Sequence, residues 1–339
     1  MNLTLVTPSS ATPVQVDASI EALIDRFARD QDVVESSREL YMRTLRLFMN
    51  WLQNKRYVLS QVDRSIIIQY KEEGLAKGLS GLTVGSYLTT VRKFYEWAEA
   101  NKLYPNVARG VKSPKRKRHF RRQPLTAQQG KDLLTSTSPL SENAEQVVVT
   151  GQELLMILRD HAIANLLLRT GLRTIELIRA NVGDITMKAG KRVLKIQGKG
   201  RDEKDDFVIL TDKAYKPIAT YLKQRISMTT HKARQRLDLL APLFVSHSNN
   251  NRDGRLTTRT IRQMAKEQLR GIGIDSPEYT AHSFRHSTAV NILLNGGTIE
   301  EAQGVLRHAS PATTQIYTYT VQEQMRLTRA TEERLDDVF

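Results

Sequence analysis

The sequence of 339 residues contains no cysteine. This absence excludes a thiol nucleophile, a disulfide scaffold and any zinc site that uses cysteine ligands. Histidine and carboxylate side chains are the ligands that remain for a metal ion.

The sequence also lacks a run of about 18 consecutive apolar residues, so we expect no segment to span a bilayer. The opening "MNLTLVTPSSATPVQVD" has no basic region followed by an apolar core, which argues against secretion. We therefore expect a protein of the cytoplasm with no membrane partner. A chain this long is sufficient for two domains, and 40% hydrophobic with 26% charged residues is ordinary for a globular protein.

Acidic residues are absent between Glu99 and Asp132, and the whole chain carries a formal net charge of +15. A sum this positive is most naturally neutralised by a polyanion, so nucleic acid is the expected partner, with a merely basic surface as the alternative. Like charges packed this tightly suit a segment that follows DNA phosphates. The candidate DNA-binding residues of this stretch are Lys112, Lys115, Arg116, Lys117, Arg118, Arg121 and Arg122.

Four amphipathic helical patterns follow a polar N-terminal tail. Residues 1–16 show no hydrophobic period, and we expect them to be disordered. Within residues 17–104, apolar residues recur on one helical face, as Ile20, Ile24 and Phe27 do. Four such helices with short connections predict a small bundle, with its aromatic residues in the core rather than stacked on bases.

The basic segment 105–123 contains prolines and predicts an interdomain linker. A second domain, 124–320, should follow it. Its first helix begins with capping-box spacing between Thr126 and Gln129, and a longer buried helix should end at Gly171.

The hydrophobic period then changes. "RVLKIQ" and "DFVIL" predict two short strands on either side of a polar, glycine-containing loop. Thr257 opens another helix, and the rest of the chain has helical patterns. The fold class predicted is therefore mainly α with a small antiparallel β-sheet (α+β), arranged as two domains that clamp DNA.

Three motifs carry residues suited to breaking a DNA phosphodiester without a metal ion: "TGLRTIEL", "HSFRH" and "LRHASPATTQIY". Such a reaction needs a nucleophile, cations for the non-bridging oxygens and an acid for the departing 5′ oxygen. Tyrosine can serve as the nucleophile if its neighbours favour the phenolate, and the planar fork of arginine suits the oxygens.

In their order and spacing, these motifs resemble the signature of the tyrosine recombinases, also called the phage integrase family, and especially its bacterial Xer-type members. The resemblance covers roughly residues 18–330 and implies a SAM-like core-binding domain before the catalytic domain. It assigns catalytic roles to six residues and supporting roles to two. The catalytic residues are Arg173, Lys199, His282, Arg285, His308 and Tyr317, and the supporting residues are Glu176 and His286.

Within these assignments, Arg173 and Arg285 clamp the phosphate and Tyr317 attacks it. Lys199, between two glycines, is the general acid for the leaving 5′ oxygen. His282 transfers a proton or contacts the phosphate, and His308 hydrogen-bonds the phosphate.

Several alternatives stay open at the sequence level. Lys204 and Arg201 are fallback candidates for the mobile lysine, and Tyr319 competes with Tyr317 as the nucleophile. His282 and His286, four residues apart, could hold zinc, although no glutamate of an H-E-x-x-H motif accompanies them.

Two further features have alternative readings. Glu176 and Arg173 could form a simple surface pair at i,i+3 spacing. Arg307 stands where relatives usually carry a glycine before the histidine, and we expect it to alter the local turn or to add a DNA contact.

The resemblance implies transfer of DNA strands through a 3′-phosphotyrosyl intermediate without metal, ATP or another cofactor. The implied partner is double-stranded DNA with paired short target sites, bound by a homotetramer with a dimer on each site, in the nucleoid. Residues 321–339 would dock on the neighbouring subunit, or alternatively pack on their own domain. Accessory or directionality proteins are further possible partners.

Two other functions compete with recombination. A type IB topoisomerase uses nearly the same residues to relax supercoils, and a protein of this fold without the chemistry would only bind DNA. The sequence leaves the DNA target open, and it does not distinguish integration, excision, inversion and dimer resolution.

Overall fold

The computed structural model divides the chain into two compact units, Met1–Arg118 and His119–Phe339. This division lies inside the segment 105–123 predicted as a linker, while the functional bounds of the domains stay predictions. The residues that the structure describes are 16–115, 122–139, 151–198, 201–228, 238–308 and 311–329. Nearly all of the predicted disordered tail lies outside them. Among the described helices, none is both long enough and apolar enough to cross a membrane.

Four α-helices build the described part of the first unit, as the sequence predicts. They are α1 (Val16–Arg29), α2 (Glu35–Asn54), α3 (Arg64–Ala76) and α4 (Gly81–Ala100). Side-chain caps begin two of them: Asp63 accepts a hydrogen bond from the Ile66 amide (3.0 Å), and Ser80 accepts one from Thr83 (3.1 Å). These bonds satisfy amides that the first helical turn leaves without a partner.

Aromatic rings fill the core of this bundle. The rings of Phe27 and Phe94 meet edge to face with centroids 5.8 Å apart, and those of Phe48 and Tyr70 do so at 5.0 Å. Phe27, Phe48 and Phe94 are fully buried. They are therefore packing residues, in agreement with the prediction that they do not stack on bases.

The bundle extends past residue 104. Ala108 and Val111 are buried in its core, and the Arg64 guanidinium donates to the carbonyls of Arg109 (2.8 Å) and Gly110 (3.2 Å). The first part of the segment predicted as a linker therefore belongs to the bundle, because two small apolar side chains anchor it there.

The second unit combines eight described helices with a small sheet. The helices are α5 (Ala127–Ser136), α6 (Gly151–Thr170), α7 (Thr174–Arg179), α8 (Asp212–Ser227), α9 (Thr258–Gly271), α10 (Ala281–Leu294), α11 (Ile299–Leu306) and α12 (Pro311–Arg329). The predicted capping box of Thr126 and Gln129 and the helix start at Thr257 are both confirmed.

The sheet has three antiparallel strands in the order β1 (Ile185–Lys188), β2 (Lys191–Ile196) and β3 (Asp206–Ile209). The sequence reading expected only the last two. It missed β1, which pairs Ile185 with Leu194 and joins β2 through a tight Ala189–Gly190 turn with φ of 47° and 73°. Gly190 was the available signal for this turn, but Ala-Gly is a weaker hairpin marker than Asn-Gly.

Helix α12 runs for 19 residues. Val321, beyond Tyr317, is buried in a cluster with Ala289 and Leu293 of α10 and Leu306 of α11. The helix therefore continues without interruption through residue 320, the predicted end of the catalytic domain. Docking of residues 321–339 on a neighbouring subunit stays a prediction.

Gly171 ends α6 with φ +62° and admits no side chain. A Cβ there would lie 2.5 Å from Cδ2 of buried Leu306 and 3.4 Å from Thr288. We expect Gly171→Ala to lower the free energy of unfolding by about 2–4 kcal/mol, since left-handed strain and overpacking add. Urea unfolding of the full chain, followed at the transition of the second unit, measures this.

Gly190→Ala is the matched control. Gly190 also has positive φ (+73°), but nothing lies within 4 Å of the place that a Cβ would take there. Gly190→Ala should then lower the free energy of unfolding by the backbone strain alone, about 1–2 kcal/mol. Equal losses in the two variants would contradict the tight packing of Leu306 on Gly171.

Candidate active site

Four separate segments of the second unit bring five of the six candidate catalytic residues together. Arg173 caps the N-terminus of α7, directly after the Gly171 turn, and Arg285 and two histidines lie on the first turns of α10. His308 follows α11, and Tyr317 lies on α12. The site thus depends on how α6, α10, α11 and α12 pack.

Arg285 is a deeply buried charge of the site, with 2% of its surface exposed. Its guanidinium donates to the carbonyls of Gly171 and Leu306, which end α6 and α11. Burial, and then the nearby Arg173 charge, lower the pKa of Arg285 to about 9, which leaves it cationic at neutral pH. One buried fork thereby joins two helix ends and supplies a fixed positive charge.

Glu176 holds Arg173 in place. The Glu176 carboxylate accepts from the Arg173 backbone amide (2.8 Å) and from its guanidinium (2.6 Å), while 28% of the Arg173 side chain is exposed. Only 1% of Glu176 is exposed, so the reading as a surface pair is wrong. Burial alone would raise the pKa of Glu176, but Arg307 and the hydrogen bonds from Arg173 lower it overall.

The Tyr317 hydroxyl lies inside this group of cations. Its oxygen is 2.6 Å from Nδ1 of His286, and its ring stacks on that of His308 with centroids 6.2 Å apart. The residue is 3% exposed. Burial raises the pKa of Tyr317 to about 12, against the opposing effect of Arg285 and Arg173. The free protein therefore holds a neutral phenol, which needs a proton acceptor before it can attack.

The site contains three histidines, and a nitrogen of His286 lies within hydrogen-bond distance of the Tyr317 hydroxyl. Burial, followed by the surrounding positive charges, lowers the pKa of His282 and of His308 to about 4 and that of His286 to about 3. Each ring is therefore neutral at pH 7 and keeps one basic nitrogen. His308 Nδ1 lies 2.9 Å from the Thr314 hydroxyl, which orients its ring.

The competing tyrosine lies elsewhere. Tyr319 is 61% exposed, two residues along α12 from Tyr317. Because residues two apart on a helix point in different directions, the buried cations cannot serve both hydroxyls in this arrangement.

Lys199 lies outside the described residues. Both fallback cations pair with nearby carboxylates: Arg201 with Asp205, and Lys204 with Asp184 at 2.5 Å.

The basic stretch is only partly described, since Arg116, Lys117, Arg118 and Arg121 lie outside the described residues. Lys112 and Lys115 are exposed on the first unit. Arg122 is exposed too, and its charge lowers the pKa of both His282 and His286. Sequence reasoning placed Arg122 among the DNA contacts but did not place it beside the catalytic histidines.

Arg307 is also part of the site, which its sequence position did not reveal. Its guanidinium lies 2.9 Å from Glu176, and its carbonyl accepts from Arg173 at 3.4 Å. The expected change in the turn is small, because Arg307 keeps the left-handed backbone (φ 54°) that a glycine would adopt.

The described histidines and carboxylates include no group of three or more arranged to hold a metal ion. His282 and His286 are close, with ring centroids 4.8 Å apart, but His286 faces Tyr317. Metal independence stays a prediction.

We expect the buried histidines to make the stability of the fold depend on pH, at pH values above the usual pKa range of carboxyl groups. His247, buried against Tyr221, also has its pKa lowered to about 4. The unfolded chain binds these protons near pH 6.5 and the folded chain only near pH 4, so unfolding takes up protons between these values. The melting temperature should therefore fall steadily as pH falls from about 6.5 to 4.5.

Thermal unfolding at intervals across that range measures this slope. The His308→Asn variant removes one of the titrating groups, and its asparagine can still bond Thr314, so its slope should be smaller than that of the wild type. A melting temperature that stays constant between pH 6.5 and 5 would contradict the neutral, buried histidines.

Two family models match the chain. The one described as the Phage integrase family matches residues 140–324, and the one described as Phage integrase, N-terminal SAM-like domain, matches residues 20–102. The matches confirm the predicted fold class of a SAM-like bundle and a catalytic domain with a small antiparallel sheet.

Curated relatives cover most of the chain. Tyrosine recombinase XerC of Thermodesulfovibrio yellowstonii is 30% identical over 281 residues, 81% of this chain and 85% of the relative. Tyrosine recombinase XerD of Yersinia pestis is 25% identical over 308 residues, 91% and 94% of the two chains.

Solved structures share the fold. The XerH recombinase bound to its palindromic difH substrate superposes with a TM-score of 0.69 at 17% identity, covering 92% of this chain and 85% of that one. A lambda integrase dimer bound to a COC′ core site gives a TM-score of 0.59 at 14% identity, with 87% and 94% covered. The chain therefore belongs to the phage integrase family, the tyrosine recombinases that cut and rejoin DNA strands.

Proposed function

We propose that this chain recombines double-stranded DNA at paired short target sites, with Tyr317 as the nucleophile. The observation that carries the proposal is the burial of the Tyr317 hydroxyl 2.6 Å from His286, where the charges of Arg173 and Arg285 act on it. Arg173 lies more than a hundred positions before the other three residues in the sequence, and an ordinary core tyrosine has no need of such cations.

The proposed reaction balances without a metal or ATP. The Tyr317 oxygen forms a bond to phosphorus, its proton passes to a neutral histidine, and the bond from phosphorus to the 5′ oxygen breaks. Lys199 supplies a proton to that oxygen, while Arg173 and Arg285 stabilise the negative charge on the non-bridging oxygens. A 5′ hydroxyl of another strand then attacks the 3′-phosphotyrosyl ester and restores the DNA bond. The ester retains the bond energy, so no other energy source is required.

The buried hydroxyl has a consequence for DNA binding. With 3% of Tyr317 exposed, a phosphate cannot reach its oxygen in the free protein. Helix α12 must therefore shift when DNA binds. The Tyr317 hydroxyl then leaves its hydrogen bond with His286 and approaches the phosphorus.

Assembly is the second part of the proposal. The two units would clamp the duplex, Lys112, Lys115 and Arg122 would contact phosphates, and dimers on each site would form a tetramer. The description of lambda integrase as a dimer on a core site supports pairing of subunits on DNA. Exchange of residues 321–339 between subunits, accessory proteins, and action in the cytoplasm on the nucleoid belong to the same proposal.

Covalent trapping tests the chemistry. Wild-type protein is incubated with a pool of duplexes that carry random central sequences and a nick, so that the cleaved fragment diffuses away and religation fails. We expect an adduct that resists detergent, and sequencing the trapped DNA identifies the target. DNA binding without any adduct would favour the alternative of a protein that only binds.

A plasmid with two copies of the recovered target distinguishes the remaining alternative. Recombinant products are expected from the wild type. Relaxation of supercoils with no exchange between the two copies would favour a topoisomerase.

A further inference from the structure

Arg307 holds an unusual backbone conformation at the end of α11. Its φ of 54° and ψ of 51° lie in the left-handed region, which side chains with a Cβ seldom adopt and which glycine adopts freely. For an arginine this backbone conformation costs energy that a glycine would not lose. The side chain should therefore make contacts that a glycine could not.

The side chain turns inward rather than toward solvent, since only 9% of it is exposed. One guanidinium nitrogen lies 2.9 Å from Glu176, another donates to the Val305 carbonyl at 2.6 Å, and Nε lies 3.8 Å from Asp206. In the free protein the Arg307 side chain thus contacts Glu176 instead of lying free for the expected DNA contact.

Glu176 consequently binds two guanidiniums at once. One of its oxygens accepts from the Arg173 side chain, and the other accepts from Arg307 and from the Arg173 amide. A buried carboxylate that is 1% exposed needs such compensation, because burial without a partner is costly. With two cations on one carboxylate, a net positive charge remains next to Arg173.

The backbone at Arg307 matters as well. The carbonyl of Leu306 accepts from Arg285, and the carbonyl of Arg307 accepts from Arg173. Both phosphate-clamping arginines of the proposed function therefore donate hydrogen bonds to the turn at Leu306 and Arg307. His308 is the next residue in the chain.

We propose that Arg307 is a positioning residue: its guanidinium neutralises buried Glu176 so that Arg173 stays directed at the DNA phosphate, and its turn aims two carbonyls at the clamping arginines. This inference rests on the proposed function, because it assigns Arg173 and Arg285 their phosphate. It adds a third guanidinium, which acts on the DNA only through its neighbours.

Three variants separate charge from backbone. Arg307→Met keeps the strained backbone and most of the side-chain length but loses the charge, and Arg307→Lys keeps the charge but loses the fork. Arg307→Gly frees the backbone. Cleavage rates are measured on a nicked duplex of the sequence recovered by trapping, with saturating protein.

We expect Arg307→Met and Arg307→Gly to cleave about 10- to 100-fold more slowly than the wild type, since Arg173 is misplaced. Arg307→Lys should lose less than either. Wild-type rates in both Arg307→Met and Arg307→Gly would overturn the proposal, because the guanidinium would then be dispensable.

The pH dependence of the cleavage rate should change if Arg307 acts through its charge, and it should not change if Arg307 only supports the fold. Glu176 faces Arg173 just before α7, Arg307 just after α11 and Arg285 of α10, and Asp206 of β3 lies 3.8 Å from Arg307. Arg307 lowers the pKa of Glu176, so its loss should let the carboxylate protonate at higher pH. The acid limb of the cleavage rate should move to higher pH in Arg307→Met and stay in place in Arg307→Lys. Equal limbs in both variants would contradict the charge argument.

Stability of the free protein distinguishes failure of this inference from failure of the proposed function. The lowered pKa of Glu176 stabilises the fold above the usual carboxyl range, and this stabilisation is lost as pH falls. Arg307→Met should therefore lose less stability than the wild type between pH 5 and 3. If the wild type forms no adduct, the proposed function fails whatever this comparison gives; if it does, unchanged rates and pH profiles in the variants refute only the role of Arg307.

Discussion

The Tyr317→Phe variant is expected to form no covalent adduct with a nicked duplex, a loss on the order of 10⁴-fold or more in cleavage. Phenylalanine removes only the oxygen that would bond to phosphorus. The ring stays packed against His308 and in the cluster with Val321, so the fold should persist. Detergent gels of the trapping reaction measure the adduct.

The fold of this variant can be checked independently. Loss of the hydrogen bond to His286 should lower the free energy of unfolding by only about 1 kcal/mol. DNA binding should remain, because the phenol contributes little to phosphate contacts. An inactive variant that also failed to bind DNA would show a folding defect and say nothing about the nucleophile.

Tyr319→Phe is the matched control, since it makes the same chemical change two residues away on an exposed side chain. We expect its adduct to equal that of the wild type. Loss of the adduct in Tyr319→Phe with retention in Tyr317→Phe would exchange the two assignments and refute the site as described.

The second large effect is expected at Arg285. Arg285→Lys keeps a positive charge but loses the fork that bonds the Gly171 and Leu306 carbonyls together. We expect cleavage to fall about 100- to 1,000-fold, as removal of one preorganised donor does. Stability should fall by about 1–3 kcal/mol, because one buried carbonyl loses its donor.

Two comparisons separate chemistry from stability. Arg173→Lys should lose cleavage to a similar degree with a smaller loss of stability, because the Arg173 side chain is 28% exposed. Arg270→Lys, on an exposed arginine paired with Asp275, should change neither. An Arg285→Lys variant that is destabilised yet cleaves at the wild-type rate would make Arg285 a structural residue only.

The sequence reading was strongest where local rules operate. The starts of α5 and α9 follow from hydroxyl side chains that cap nearby amides, which neighbouring residues decide. It was weakest for β1, which has only four residues and becomes a strand by pairing with β2.

The sequence by itself determined the family, the order of the motifs and the identities of the residues that could cut DNA, because these depend on residue types at set spacings along the chain. Only the tertiary structure decided what those residues touch. It buried Glu176, bonded His286 to Tyr317, exposed Tyr319 and turned Arg307 inward. The physical reason is that hydrogen-bond partners and burial are set by helices packing together from distant parts of the chain, so that Arg307 meets a carboxylate 131 positions away.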